Sequence, residues 1–356
     1  MEDRAIVEEP IGNQLYFAGE ALNPIYQSSV HAAHESGLLA VSSMLEAAPA
    51  RVGIVGAGMA GLTAAAALSQ AGVEVTVWEA RDRIGGRLHT DTSLGFANDL
   101  GASWIHGPIG NPLTAHADEL GLERVRSDDE SFALRGADGD SVEWLSAPGW
   151  IEDVLLTIQA AAEPNQLNPR YFDEVFPDRG TGYDGGDILL PNGYAQILEA
   201  HEGDYTVALS HPVARVALKT EAVEVMRDDG HIESFDAILM TVPLGVLKAG
   251  SIEFDPPLPS EKQAAIERMG FGLLDKLYLV FDEPFWDDAS NIILTDNGLP
   301  RGQFNYWVNL HKSFGVPALV ALNGGPHAHE LALLEDEELV ATGLSALRTG
   351  YPGALG

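Results

Sequence analysis

The run Gly56-Ala-Gly58-Met-Ala-Gly61, followed by an acid at Glu79, is where this chain most plainly offers chemistry. A Gly-x-Gly-x-x-Gly turn turns backbone amides toward phosphate oxygens. Gly56 permits the tight turn, Gly58 lets a pyrophosphate approach the backbone, and Gly61 lets the following helix sit close to the strand. A carboxylate placed like Glu79 accepts hydrogen bonds from a ribose. Next come Arg81, Arg83, Gly85, Gly86 and Arg87 in the string EARDRIGGR. Guanidinium groups match phosphate geometry, so a second glycine turn flanked by arginines can wrap a pyrophosphate from the other side. Alone, the first loop does not choose between NAD and FAD, and a glycine-rich turn also occurs in other α/β proteins. The arginine cluster also reads as an ordinary basic loop, but it stands out in so acidic a chain.

The surrounding pattern supplies the elements such a loop needs. Val52, Ile54 and Val55 form a short β-rich run, Leu62 to Gln70 is rich in helix formers, and Gly72 stops it. Val73, Val75 and Val77 then alternate as a second strand ending at Glu79. The sum is strand, glycine loop, helix, strand, acid: a dinucleotide-binding βαβ unit. Residues 14–55 hold a second unit. Leu15 to Phe17 is a short strand ending in Ala18-Gly19-Glu20, Asn23-Pro24 marks a loop, and a helix runs from about Ser28 to Glu46. A right-handed crossover places Leu15–Phe17 parallel to Val52–Val55 in one sheet. The start of that helix then lies at the same end of the sheet as the glycine loop.

Further along, residues 99–113 form a Gly/Pro-rich loop with Trp104 and His106. A helix is expected at about Trp150–Ala162, after an acidic loop at Asp128, Asp129 and Glu130. Strands are expected at Val213–Leu218, Ala222–Met226, Ala237–Val242, Leu277–Phe281 and Val316–Leu322. Helices are expected at Glu261–Arg268 and Asp336–Leu347.

Composition narrows the function classes. The 356 residues suffice for about two domains. Lys and Arg number 20 against 53 Asp and Glu, a net charge of −33. Such a surface repels nucleic acid and attracts cations; scarce lysine beside abundant carboxylate also fits life in high salt, and the two readings are compatible. Cysteine is absent, which removes disulfides, thiolate metal sites and a cysteinyl cofactor link. No apolar run is long enough to span a bilayer, and the acidic N-terminus lacks signal-peptide features. A soluble, cytoplasmic protein without a membrane partner is the expectation. There is no HExxH pair, P-loop or GxSxG elbow. The eleven histidines are scattered, with His327 and His329 alone not making a metal site, so no metal is expected.

The strings VGAGMAGLTAA (55–65), WEARDRIGGR (78–87), DLGASWIHG (99–107), TVPLGVLKAG (241–250), FDPPLPSEKQAAIERMGFGLLDKLYLVFDEPFW (254–286) and LYFAGEALNPIYQSSVHAA (15–33) carry a stronger signal. Together they resemble the flavin-containing amine oxidases, in the branch of polyamine oxidases and histone lysine demethylases. The resemblance implies an α/β fold: a Rossmann-like FAD-binding domain with a mixed α+β substrate domain. The FAD domain is expected over 1–112 and 188–250, and the substrate domain over 113–187 and 251–356. In the family the FAGE segment follows the glycine loop, whereas here it precedes it, so the order reads as circularly permuted or rearranged. The family's Arg-Trp…Asp-Pro…Gly-Ser-Tyr stretch, which supplies an aromatic residue facing the flavin, has no counterpart.

By the same resemblance, Gly56, Gly58, Gly61, Glu79, Arg81, Gly86 and Arg87 bind the adenosine and pyrophosphate of FAD, held non-covalently. Ala102, Ser103 and Trp104 lie along the flavin, and Val213 meets the adenine through its backbone. Glu20 reaches the ribityl or phosphate region, and Val30 lies beside the pyrimidine edge. There a helix start presents its positive dipole end to the charge of the reduced ring. Lys276 matches a lysine that holds a water near flavin N5. His106 stands on the substrate side and Tyr26 lines the amine pocket; each also reads as a structural or surface residue. Asp173 and Glu174 read more simply as a solvated charged face than as a polyamine site. The implied reaction is oxidation of a small cationic amine, with oxygen as second substrate, by hydride transfer to flavin N5. Imine, aldehyde and hydrogen peroxide follow. The alternatives are a non-catalytic FAD-binding protein and a different flavin oxidoreductase such as a desaturase.

Overall fold

The computed structural model describes residues 2–23, 28–127, 131–143, 149–167 and 183–354. The chain divides into two units, one of residues 1–123, 181–185 and 192–271 and the other of 124–180, 186–191 and 272–356.

The first unit is built on a parallel sheet. Its elements are α1 (Glu2–Glu8), β1 (Leu15–Phe17), α2 (Val30–Glu46), β2 (Arg51–Val55), α3 (Met59–Gln70), β3 (Glu74–Trp78), α4 (Pro112–Glu119), β4 (Thr206–Ala208) and β5 (Ala237–Met240). The sheet order is β1-β5-β2-β3-β4, and every neighbouring pair is parallel. β1 and β2 are therefore parallel in one sheet, as the crossover argument requires, but they are not adjacent: β5 lies between them. Parallel strands covered on both faces read as continuous apolar runs rather than alternating ones, and β1 and β5 are buried throughout. Gly53 in β2 leaves room for a large neighbour: a Cβ there would stand 2.7 Å from the Trp78 ring. Trp78, buried in turn, meets Phe235 edge to face at 5.0 Å.

Small residues set the helix packing. α3 is largely alanine and mostly buried. Gly37 of α2 faces it so closely that a Cβ would stand 2.5 Å from the Ala60 carbonyl oxygen. The two helices thus lie against each other, and both start at the carboxyl ends of the parallel strands that precede them. That edge of an open parallel sheet is where ligands bind. α2 begins on a cap, with Ser29 Oγ accepting from Ala32 N at 3.1 Å.

A second sheet of this unit orders the segments Ile232–Phe235, Val223–Arg227, Val213–Leu218 and Glu253–Asp255. The last of these pairs parallel to Val213–Leu218. The helix Ser260–Arg268 joins the same unit through Lys262, whose Nζ donates to the carbonyls of Ile6, Val7 and Glu9 at 2.6, 2.9 and 2.7 Å. These bonds satisfy carbonyls at the end of α1, orphaned as at every helix C-terminus. They tie this helix to α1 within the first unit, which runs on to residue 271.

In the second unit, one sheet orders the strands Leu274–Val280, Ala318–Gly324, Tyr306–Asn309, Ile292–Thr295 and Phe132–Arg135. All pairs are antiparallel except the last, which is parallel. The strands Ile292–Thr295 and Tyr306–Asn309, which hydrophobic patterning did not single out, form its buried middle. An Arg135–Asp287–Tyr351 cluster fastens this unit: Arg135 donates to both Asp287 oxygens at 2.9 and 2.5 Å, and the Tyr351 hydroxyl donates to Asp287 Oδ2 at 2.6 Å. Burial opposes ionisation of Asp287, but Arg135 and Tyr351 outweigh it and hold its carboxyl below the usual range.

Candidate active site

The glycine loop turns at the carboxyl end of β2. Gly56 has φ 110°, a conformation only glycine adopts freely. Thr241, just past β5, closes the turn from the side: its Oγ1 donates to the Val55 and Gly56 carbonyls at 2.9 and 3.0 Å. At Gly61 a Cβ would collide with the Gly56 carbonyl oxygen, so the helix meets its strand only because no side chain intervenes. At Gly58, the cap of α3, the nearest protein atom to a Cβ is the Gly85 carbonyl oxygen at 3.9 Å. The protein's own packing does not ask for glycine there. The space a side chain would take is space that a group from outside can use, which fits a pyrophosphate laid on the helix start.

Glu79 is buried and holds this loop to the next one. Its Oε2 accepts from Ala57 N and its Oε1 from Arg81 N, both at 2.9 Å. The segment after β4 runs alongside: His211 N donates to the Glu79 carbonyl at 2.9 Å and Ser210 N to the Arg81 carbonyl at 2.8 Å. Val213, buried at the start of its strand, follows two residues after His211.

The arginine loop packs onto the glycine loop. Gly85 N donates to the Ala57 carbonyl at 2.8 Å. A Cβ on Gly86 would stand 3.5 Å from Gly58 Cα. Arg83 Nη1 turns back to the Gly86 carbonyl at 3.0 Å, while Arg81 and Arg87 are exposed. Arg87 Nη1 reaches Glu20 Oε1 at 2.6 Å. The other oxygen of the buried Glu20 accepts from Ser28 N at 3.0 Å, beside the cap of α2. One carboxylate therefore ties the arginine loop to the start of α2, where Val30 sits half-buried. Ser36 of α2 holds the FAGE turn by accepting from Gly19 N at 3.0 Å.

The loop with Ala102, Ser103 and Trp104 lies against Arg87: Ala102 N donates to the Arg87 carbonyl at 3.0 Å. Gly101 passes so close to that carbonyl that a Cβ would collide with it. Ser103 is buried, and Trp104 stacks on His106 with ring centroids 6.3 Å apart and planes 17° from parallel. Lys276 is half-buried in the strand Leu274–Val280 of the second unit, in register with Leu322. Tyr26, Asp173, Glu174 and the acidic loop 128–130 lie outside the described residues.

The structure also gathers residues that no spacing announced. His34 of α2, His116 of α4 and His201 at the end of the segment Tyr194–His201 bring one ring nitrogen each to within 4.8 Å of the others. Thr63 of α3 borders them. Burial first, then the neighbouring imidazoles, pushes His34 down to about 3, and burial with His116 pushes His201 down to about 4. Along the sequence these histidines are scattered: their positions are far apart in the chain and share no motif.

Comparison with known proteins follows the same lines. The family model described as flavin containing amine oxidoreductase matches residues 59–148 and 174–355. The chain is 33% identical to polyamine oxidase 4 of Oryza sativa subsp. japonica, covering 86% of this chain and 74% of that one. It is 31% identical to polyamine oxidase 2 of Arabidopsis thaliana, covering 85% and 72%. It is 31% identical to lysine-specific histone demethylase 1 homolog 3 of Oryza sativa subsp. indica, covering 84% and 43%. A solved structure of a putrescine oxidase double mutant, from a redesign of cofactor binding, shares the fold with TM-score 0.63. It is 22% identical and covers 85% of this chain and 82% of that one.

Proposed function

We propose that this chain, which belongs to the flavin-containing amine oxidoreductase family, oxidises a small cationic amine, a polyamine or another primary or secondary amine. FAD is its cofactor. The observation that carries the reading is the Glu20 carboxylate, shared between the Arg87 guanidinium and the Ser28 amide. It joins two crossover units distant in sequence at one edge of one sheet, as a single extended dinucleotide requires.

The residues divide the work by position. Gly58 and the amides at the start of α3 take the pyrophosphate, with Arg81 and Arg87 completing its charge balance. Glu79 and the backbone near Val213 hold the adenosine end. Glu20 fixes the arginine loop against α2 and so orients both. Ala102, Ser103 and Trp104 line the ring. The dipole of α2, beginning at Val30, favours negative charge at the pyrimidine edge. FAD, when bound, would supply a two-electron acceptor for the oxidation of the amine to an aldehyde, with oxygen as the second substrate. Lys276 is proposed to hold a water that assists reoxidation by oxygen, and His106 to stand on the substrate side. The net charge of −33 favours cationic substrates. Among the described residues no helix is long and apolar enough to cross a membrane.

The test is anaerobic. The purified yellow protein is mixed with spermidine or a monoamine, and the visible flavin absorption is followed before and after air is admitted. Bleaching that air reverses, with peroxide formed, is the expected result. A yellow protein that no amine bleaches overturns the amine oxidase reading, and a colourless protein with no affinity for FAD overturns the cofactor assignment as well. Lys276→Met should bleach at the parental rate and recover more slowly in air; equal recovery removes Lys276 from that role.

A further inference from the structure

We propose that His34, His116 and His201 form a binding site for one divalent transition-metal ion of the zinc class, fastening α2 to α4 and to the segment Tyr194–His201. The site lies wholly within the first unit and does not depend on what occupies the glycine loop.

The geometry is that of donors converging on a point. The three rings meet edge to face, with centroids 5.1, 5.5 and 4.9 Å apart and interplanar angles of 71°, 74° and 63°. Two nitrogens at about 2.0–2.1 Å from a tetrahedral zinc stand roughly 3.3 Å apart. His34 Nδ1 and His201 Nε2 are 3.3 Å apart. The full set lies within 4.8 Å, so His116 needs only a small ring movement to close the third edge. His34 Nδ1 is also 3.1 Å from Thr63 Oγ1, which places that hydroxyl beside the fourth position.

Hydrogen bonding alone does not account for the cluster. A proton on His34 Nδ1 serves Thr63 or His201 but not both well. The Nε2 of His116 is buried with no hydrogen-bond partner among the described residues, and a buried polar atom left so is destabilising. Its other nitrogen, Nδ1, faces Glu119 Oε2 at 3.4 Å. A carboxylate behind one imidazole nitrogen is the arrangement that turns the other nitrogen's lone pair toward a metal. With no cysteine in the chain, imidazole is the strongest borderline-soft donor available, and it suits Zn²⁺ over Mg²⁺ or Ca²⁺. His34 lies one turn beyond Val30, and Thr63 one turn beyond Met59. An ion here therefore sits just behind the two helix starts that frame the dinucleotide edge.

The FAD-loaded full chain is stripped with a chelator, and zinc chloride is titrated by calorimetry. One tight site per chain is expected, with three imidazole nitrogens at about 2.0–2.1 Å by X-ray absorption. His116→Ala, on a half-exposed position, should abolish the tight site while flavin retention and circular dichroism stay parental. Glu119→Gln, on the surface, should weaken binding by roughly 10- to 100-fold. His231→Ala, an exposed histidine elsewhere, should change nothing. Absence of a saturable site overturns the proposal. So does zinc held equally by parent, His116→Ala and Glu119→Gln, since that describes adsorption to surface carboxylates.

Discussion

Replacing Gly58 and Gly61 separately by alanine divides two roles that the motif joins. At Gly61 the added Cβ collides with the Gly56 carbonyl oxygen and stands 2.9 Å from Thr241 Oγ1. Backbone cannot step aside as a flexible side chain can, so α3 must move off its strand. Overpacking of this kind costs about 1–3 kcal/mol, which the FAD-free protein should show. At Gly58 the φ of −84° suits alanine, and the nearest protein atom to the Cβ is 3.9 Å away. Two small terms then compete. Alanine is a poorer helix cap than glycine, roughly 0.5 kcal/mol or more lost; against this, removing glycine from the unfolded chain gains about 0.4–1 kcal/mol. The net change in FAD-free stability is near zero. Binding is another matter, because the Cβ now occupies the phosphate's approach. Taking the same ~1–3 kcal/mol for overpacking against a bound pyrophosphate, the Kd for FAD should rise roughly 5- to 150-fold. Thermal unfolding of the FAD-free variants by circular dichroism, with FAD titration by fluorescence, separates the two. If Gly58→Ala binds FAD as the parent does, the dinucleotide does not approach that backbone and the assignment of the loop fails.

Two further substitutions probe the connections around the site and in the second unit. Glu20→Ala releases Arg87 and leaves the Ser28 amide without its acceptor; each lost bond to a charged group amounts to about 1.5–3 kcal/mol. FAD affinity should fall at least ~10-fold, measured by flavin retention on gel filtration, with Glu20→Gln intermediate; unchanged retention would sever the link between α2 and the arginine loop. Asp287→Asn should lower stability at neutral pH by about 1–3 kcal/mol, since Arg135 and Tyr351 lose an ionised partner. The sign with pH follows from linkage. The folded carboxyl is held below its ordinary value of 3.8, so its stabilisation is present above that value and is lost as pH falls further, through the lower value of the folded carboxyl. Parent and variant melting temperatures should therefore converge below about pH 4, and a constant difference would deny the carboxylate its role.

Much of the dinucleotide edge was legible along the chain because its causes are local. Gly56, Gly58 and Gly61 are demanded by one turn and one helix start, and the alternating valines before Glu79 by one strand. The helix after Ser28 could be read from its cap and its run of helix formers. What periodicity cannot carry is adjacency between distant segments. The placement of β5 between β1 and β2 depends on which strand fills a gap after both crossovers have formed. Thr241 stands in the string 241–250, but nothing in that string tells that it shapes the Gly56 turn from the neighbouring strand. The Ile292–Thr295 and Tyr306–Asn309 strands read as weak patterns because strands buried on both faces lose the alternation that marks half-buried ones. The three histidines are the plainest case. Positions 34, 116 and 201 share no spacing, and only the folded arrangement of α2, α4 and the segment Tyr194–His201 brings their nitrogens together. Local stereochemistry determined the loops and helix starts; burial of small residues between distant helices decided what those starts face together.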